Sequence, residues 1–187
     1  MSRRLTRREL AGLCGAGVLS CRAGSGRTEP RPSRPGVVAL AEAPPFGVEI
    51  TAASARSAMG RALAAATGLE GADRAARSLF APEDTVGIKL NCLAGPGLSP
   101  RVEVVEALVE LIASAGVNRQ RIIVFERSSR ELERAGFEIR RSGGPYLCFG
   151  VDNDYQRLPT VSGEIGSCFA RLATERCTAL VLSLIHI

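Results

Sequence analysis

The chain is poor in lysine, histidine and large aromatic residues. Among 187 residues it has one lysine, Lys89, one histidine, His186, and no tryptophan, and every other basic residue is arginine. Abundant Ala, Gly and Arg are typical of the coding bias of a GC-rich genome, so these residues say little about function. In such a chain the single lysine is a candidate functional residue. Unlike arginine, lysine supplies a compact charge and can lose its proton when buried.

The folded part of the chain lacks an excess of basic charge. The formal net charge is +5, but up to Pro45 eight arginines stand against three glutamates, and from Phe46 onward sixteen basic residues balance sixteen acidic ones. The excess therefore lies in the N-terminal region, and the domain has no electrostatic reason to bind DNA, RNA or anionic lipid. The sequence predicts no nucleic-acid partner.

Closely spaced cysteine pairs are also missing. None of the six cysteines belongs to a Cys-x-x-Cys motif, which argues against a ferredoxin-type cluster or a zinc ribbon within the chain. We expect packed free thiols in the domain, and Cys92, next to Asn91, is the one closest to candidate chemistry.

The N-terminus contains a paired arginine but no apolar run long enough to span a membrane. Arg7 and Arg8 precede a short, weakly apolar stretch, residues 11–20, which is the layout of a twin-arginine export signal. An amphipathic first helix is the alternative, although three glycines make a poor helix interior. We therefore expect a signal peptide at 1–21, the twin-arginine translocase as a partner, and a location in the periplasm or at the outer face of the cytoplasmic membrane.

Two further N-terminal features bear on membrane attachment. Cys21 closes a loose lipobox, so a lipid on this cysteine is an alternative to cleavage, and any membrane contact would come only from the signal or that anchor. Residues 22–45 are rich in Pro, Arg, Ser and Gly without apolar periodicity, which is typical of a disordered linker.

The last six residues, 182–187, read Leu-Ser-Leu-Ile-His-Ile. This is the translation of an adapter used in preparing sequencing libraries, so we interpret it as adapter read-through and expect the natural α/β domain, 46–181, to be cut short there. A genuine C-terminal strand is the alternative. If the interpretation holds, His186 is foreign to the protein, and no histidine-dependent triad, zinc site or acid–base pair can be assembled.

Between the termini, short apolar runs alternate with helical patterns. The sequence predicts a helix at 54–68, strands in 84–93, 121–125 and 146–152, and a fourth strand at 177–183. A second helix follows Ser99 as N-cap and Pro100 as first helical residue, and a third opens with a capping box of Ser128 and Glu131. The order predicts an α/β fold, a mostly parallel sheet with helices on both faces, incomplete at the C-terminus.

Several of these segments resemble the prokaryotic family known as domain of unknown function 362. The resemblance rests on APEDTVGIKLNCLAG, with an Ile-Lys-x-Asn core, on RVEVVEALVELIASAGV, on IIVFERSSRELERAGFEI and on SGEIGSCFARLATERCTALV. It implies an α/β protein, often exported and in some members joined to an iron–sulfur module, and it brings no agreed reaction. On the family pattern, Lys89 and Asn91 fall on the motif and Glu126 stands where an acidic residue is expected; the family's later lysine- and histidine-containing segments are absent.

Polar residues follow the predicted strands, where ligands bind in open α/β sheets. Lys89 and Asn91 close the first strand and Glu126 closes the second, while Asp152 and Asp154 follow the third. Glu126, Asp152 and Asp154 are candidate ligands of a divalent metal, and Lys89 is the candidate contact for an anionic group. The alternative is that such residues cap strands and solvate loops.

A glycine-rich loop connects the first strand to the next helix. Gly95, Gly97 and Ser99 occupy the position from which backbone N–H groups cradle phosphate. The loop is not a Walker motif, because the Gly-Lys-Ser/Thr ending is missing, and a strand-to-helix turn needs the same glycines.

These observations predict an exported protein of unknown activity that binds a metal or an anionic ligand at the strand ends. The resemblance and the export route add a redox system as a candidate setting, with a redox partner and an iron–sulfur cluster supplied by missing chain or by that partner. A non-catalytic binding or accessory protein of the same fold is one alternative. A lysine-dependent enzyme, with Lys89 as catalytic base or imine-forming nucleophile, is the other.

Overall fold

A four-stranded parallel sheet lies at the centre of the domain. The computed structural model describes residues 36–42 and 49–184. The sheet strands are β1 (Val86–Leu90), β2 (Ile122–Glu126), β3 (Leu147–Gly150) and β6 (Ala179–Ser183), in the order β3-β2-β1-β6. All three strand pairs are parallel, so the predicted α/β fold and its four strands are confirmed.

Within the described residues, four α-helices accompany the sheet: α1 (Ala52–Thr67), α2 (Ala72–Leu79), α3 (Val102–Ser114) and α4 (Ser129–Arg134). Helix α1 begins at a capping box of Thr51 and Ser54 and ends at Gly68, whose φ of 69° is the left-handed conformation of a helix C-terminus. Helix α3 packs Val105, Val109 and Ile112 into the core and faces solvent with its glutamates.

The strand order shows how the connections cover the two faces. From β1 through β2 to β3 the chain moves in one direction, and α3 and α4 pack on one face against Ile88, Val124 and Cys148. The connection from β3 to β6 reverses direction and covers the opposite face, where Leu172 and Cys177 pack with Phe125 and Phe149. Crossovers of a single hand require this change of face at a reversal, and the reversal places a topological switch point between β1 and β6.

The connection from β3 to β6 contains elements that the sequence pattern did not indicate. A two-stranded antiparallel hairpin, β4 (Thr160–Ser162) and β5 (Ile165–Ser167), exposes all six of its residues, and a π-helical turn spans Leu172–Arg176. Strand β6 continues over Leu182 and Ser183, so the first two residues ascribed to adapter sequence pair with β1. Their origin stays a prediction.

The predicted start of helix α3 is wrong. Arg101, rather than Ser99, occupies the N-cap position, and Val102 rather than Pro100 is the first helical residue. The Ser99 hydroxyl instead donates to the Gly95 carbonyl oxygen at 2.7 Å. It closes the 3₁₀ turn at Pro96–Leu98 that precedes the helix.

The predicted capping box at α4 is wrong as well. Ser128 is the N-cap residue but its side chain makes no capping bond. The N–H of Ser129, the first helical residue, donates to the Asp152 carboxylate at 3.0 Å. Glu131 therefore takes part in no capping box, and its side chain is buried.

Candidate functional site at the carboxyl edge of the sheet

Lys89 and Glu126 form an ion pair at the carboxyl ends of β1 and β2. We call the residues that follow these strands and β3, namely 89–92, 126–131 and 150–155, the carboxyl edge. The ammonium nitrogen lies 2.9 Å from Oε1 of Glu126. Glu126 keeps 5% of its side chain exposed and Lys89 keeps 32%. A buried carboxylate thus fixes an ammonium that solvent still reaches.

The hydrogen bonds of Lys89 leave part of its ammonium unused. An ammonium carries three N–H donors. One donates to Glu126 and one, through a short contact, to the backbone carbonyl of Leu90. Among the residues that the structure describes, no further acceptor engages the third donor, which is therefore free to meet a ligand.

Arg127 extends the ion pair into a chain of alternating charge. Its backbone N–H donates to Oε2 of Glu126, and its guanidinium donates to Oε1 of Glu131, both through short contacts. Glu131 exposes only 9% of its surface. Two cations and two anions thus follow one another along the edge, and their formal charges cancel.

The surroundings of the ion pair are polar but partly dry. Burial raises the pKa of the Cys92 thiol, its hydrogen bond with Ser99 lowers it, and the charges of Glu126 and Glu131 raise it further. Burial likewise raises the pKa of Tyr155, which feels the charges of Arg127 and of both glutamates. Cys92 and Tyr155 therefore border the charged chain, and the raised thiol pKa makes Cys92 a poor nucleophile.

Asn91 and the glycine loop are held in local turns. The Asn91 side-chain oxygen accepts the Leu93 N–H at 3.3 Å. The Gly95 N–H donates to the Cys92 carbonyl at 3.2 Å, and the Gly95 carbonyl accepts from the Ser99 hydroxyl at 2.7 Å. Gly95 adopts a φ of 82°, which suits glycine. These bonds favour a turn that shapes the strand end, and they occupy the Gly95 donor that a phosphate cradle would use.

The three predicted metal ligands have separate partners. The Asp152 carboxylate accepts the Ser129 N–H and hydroxyl and lies 2.8 Å from the Arg141 guanidinium. Asp154 lies 3.9 Å from Arg171, while Glu126 faces Lys89. Within residues 36–42 and 49–184, no three His, Cys, Asp or Glu side chains form a group that could hold a metal ion. The structure therefore does not assemble the predicted metal site.

The other thiols of the domain are packed or remote from this edge. Cys148 and Cys177 are buried and unbridged, and burial raises their pKa values to about 12 and about 11. Cys168 is exposed on the connection from β3 to β6. These thiols are protonated at neutral pH where buried, as structural cysteines are.

A cavity of about 390 Å³ lies at the opposite edge, near the amino ends of β2 and β3. Arg56, Glu110, Arg119 and Tyr146 are among its lining residues. Arg119 donates to Glu110 at 2.7 Å, so two of its charged groups satisfy each other. None of the predicted site residues lines this cavity, and we place the candidate site at the carboxyl edge because the unused donor is there.

Sequence reasoning missed two members of the carboxyl edge. Glu131 was assigned to a capping box, and Tyr155 was not considered. The buried position of Glu131 on α4 had a signal in the sequence, since it lies one residue from the apolar Leu132 that anchors the helix. Tyr155 had none, because it reaches the edge through the irregular chain after β3.

Several predictions concern residues outside the described part of the chain. Arg7 and Arg8 of the export signal, Cys21 of the lipobox and His186 all lie outside it. Within residues 36–42 and 49–184, no helix combines the length and apolar character that crossing a bilayer requires.

No family model, curated protein or solved structure matches the chain. The resemblance to the domain of unknown function 362 family therefore stays a prediction, and the function has to be argued from the carboxyl edge itself.

Proposed function

We propose that the chain is an exported α/β protein that binds a small ligand through an anionic group, a carboxylate or a phosphate, at the carboxyl edge. Lys89 makes the cationic contact and Glu126 holds its ammonium in position. In this proposal the twin-arginine translocase exports the protein, and the ligand is met outside the cytoplasm.

The observation that carries the proposal is the unused N–H donor of Lys89. It belongs to an ammonium that a buried carboxylate fixes, on a side chain that is still 32% exposed. It also lies beside the switch point between β1 and β6, where open α/β sheets bind their ligands. A charge that is already positioned loses little side-chain entropy when an anion arrives, which favours binding.

The test compares anion binding by the wild type and by variants at Lys89. Removing the ammonium alone would leave the buried Glu126 unpaired, which costs about 3–5 kcal/mol. The informative variant is therefore Lys89→Met combined with Glu126→Gln, which removes both charges. Calorimetric titration with propionate and with inorganic phosphate should show binding to the wild type and a loss of about tenfold or more in the double variant, equivalent to about 1.4 kcal/mol.

Two further variants sharpen the result. Lys89→Arg keeps the charge but replaces a point donor by a planar fork, so it should bind more weakly than the wild type and better than the double variant. Arg171→Gln removes one positive charge from an exposed ion pair with Glu175 and should bind like the wild type. Equal anion affinity in the wild type and the double variant would contradict the proposal. So would a wild type that binds Mg²⁺ or Mn²⁺ but neither of the anions.

A further inference from the structure

One buried carboxylate oxygen of the carboxyl edge has no hydrogen-bond donor among the residues that the structure describes. Glu126 accepts from Lys89 through one oxygen and from the Arg127 backbone through the other. Glu131 accepts from the Arg127 guanidinium through Oε1. Its Oε2 is buried and has no hydrogen-bond partner among the described residues.

Such an oxygen is costly in a folded protein. Nearly all buried polar atoms find a partner, because burial removes the water that would otherwise donate to them. The penalty is larger for a charged acceptor than for a neutral one. Since Oε2 is buried and the Glu131 side chain keeps only 12% of its surface exposed, a ligand that supplies the missing donor gains the interaction that the free protein lacks.

Glu131 belongs to the same site as Lys89. Only Glu126 and Arg127 separate the two in the chain of alternating charge, and the thiol of Cys92 feels the charges of Lys89, Glu126 and Glu131 together. Arg127 covers Glu131 with a side chain that is 61% exposed. Because most of that arginine side chain lies in solvent, we assign to it the outward turn that a ligand needs in order to reach Oε2.

We propose that the ligand carries a hydrogen-bond donor next to its anionic group, and that Oε2 of Glu131 receives it. The ligand class is then a hydroxy or amino acid, or a phosphate ester with a neighbouring hydroxyl, rather than a simple acid. Lys89 contacts the anion, Glu131 the hydroxyl or ammonium, and Arg127 closes over both. This inference rests on the proposed function and specifies its ligand.

Matched pairs of probes test the donor directly. Lactate and propionate differ by one hydroxyl, and so do the phosphate esters glycerol 3-phosphate and its analogue lacking the 2-hydroxyl. Calorimetric titration of the wild type should show a preference of about tenfold or more for the hydroxylated member of at least one pair, as expected for a hydrogen bond to a charged acceptor. The pair that shows it also identifies the anion as carboxylate or phosphate.

Glu131→Gln should weaken the preference strongly. The substitution keeps the shape and one acceptor for Arg127, but it replaces the charged acceptor Oε2 by a neutral amide group that donates, so a ligand donor loses its charged partner and the two members of a pair should bind more nearly alike. Glu175→Gln is the matched control, because Arg171 and Glu175 repeat the same spacing at the surface with both carboxylate oxygens bonded. It should leave the preference unchanged.

The outcomes separate the two proposals. If the wild type binds both members of each pair equally, and still through Lys89, the inference about the donor is wrong and the proposed function stands. If the preference survives Glu131→Gln, the donor goes elsewhere and the inference is also wrong. If no probe binds, both proposals fall.

Discussion

Asp152 is the one described residue other than glycine with a positive φ, 56°. Aspartate and asparagine tolerate this left-handed conformation better than other side chains. The Asp152 carboxylate offsets the cost of this backbone conformation by accepting hydrogen bonds from the backbone N–H and hydroxyl of Ser129 and from Arg141. These contacts lower the pKa of Asp152, chiefly through the Ser129 N–H, so the residue serves to seat α4 on the end of β3.

Asp152→Asn isolates the charge, because asparagine tolerates the same backbone. The variant should be less stable at neutral pH by about 1 kcal/mol or less, since the side chain is partly exposed. A lowered folded-state pKa stabilises above the unfolded value, 3.8, and this contribution is lost as the pH falls through the folded value. Urea unfolding midpoints of wild type and variant should therefore converge in acid.

Asp154→Asn is the control for this charge. Its contact with Arg171 is longer, 3.9 Å, so the substitution should change the urea midpoint less at neutral pH. A gap between wild type and Asp152→Asn that stays constant down to about pH 2 would show that the carboxylate charge is not what stabilises the junction.

At the scale of elements, local sequence patterns located α1, α3 and α4 but misassigned the first residues of α1 and α3. The spacing of Val105, Val109 and Ile112 was enough to predict α3, because one apolar face repeats along it. The predicted capping box at α4 does not form: the Ser128 side chain makes no capping bond, and the Glu131 carboxylate accepts from the Arg127 guanidinium. Helix α2 was not predicted, since it is only eight residues long and its buried residues are the small Ala75 and Ala76.

Gly150 shows how closely α4 approaches β3. A Cβ atom at this position would lie 1.9 Å from the Ser129 backbone nitrogen. Gly150→Ala must therefore push the helix away from the strand, and we expect a loss of about 3 kcal/mol or more in the free energy of unfolding. Because α4 carries Glu131, the preference for hydroxylated ligands should weaken as well.

Gly97→Ala is the matched control, because a Cβ there meets no atom within 4 Å. Urea unfolding should show at most about 0.5 kcal/mol for this exposed substitution. If the two alanine variants lose equal stability, the close approach of α4 to β3 is not what Gly150 provides.

At the scale of the whole molecule, alternating strands and helices were enough to predict the parallel sheet and the edge where polar residues gather. Parallel strands put their carboxyl ends on one side, so Lys89 and Glu126 were expected to meet, and their atoms lie 2.9 Å apart. The pairing of carboxylates with arginines was not predictable. Asp152 pairs with Arg141 and Asp154 with Arg171, and these residues lie in segments whose sequence has no helical or strand periodicity. The site therefore follows from topology, and its ligands follow from tertiary contacts.

The sheet also depends on a junction between distant parts of the chain. The Thr178 hydroxyl, just before β6, donates to the buried Asp84 carboxylate at 2.8 Å and accepts the Thr85 N–H at 3.0 Å. Asp84 also accepts the Ala81 N–H at 2.7 Å. These bonds fix the amino end of β6 beside β1, at the opposite edge from Lys89.

Thr178→Val keeps the shape of the side chain and removes its hydroxyl. The buried Asp84 oxygen and the Thr85 N–H then lose their partner, which should lower the free energy of unfolding by about 1–3 kcal/mol. Thr174→Val, which removes an exposed hydroxyl with two long contacts, both 3.4 Å, to the Ala170 carbonyl and the Gln156 amide, should change it by less than about 0.5 kcal/mol. Since the junction is at the far edge, anion affinity of the folded Thr178→Val protein should equal that of the wild type. A stability loss no larger than that of Thr174→Val would mean that the strand pairing of β1 with β6 holds without this junction.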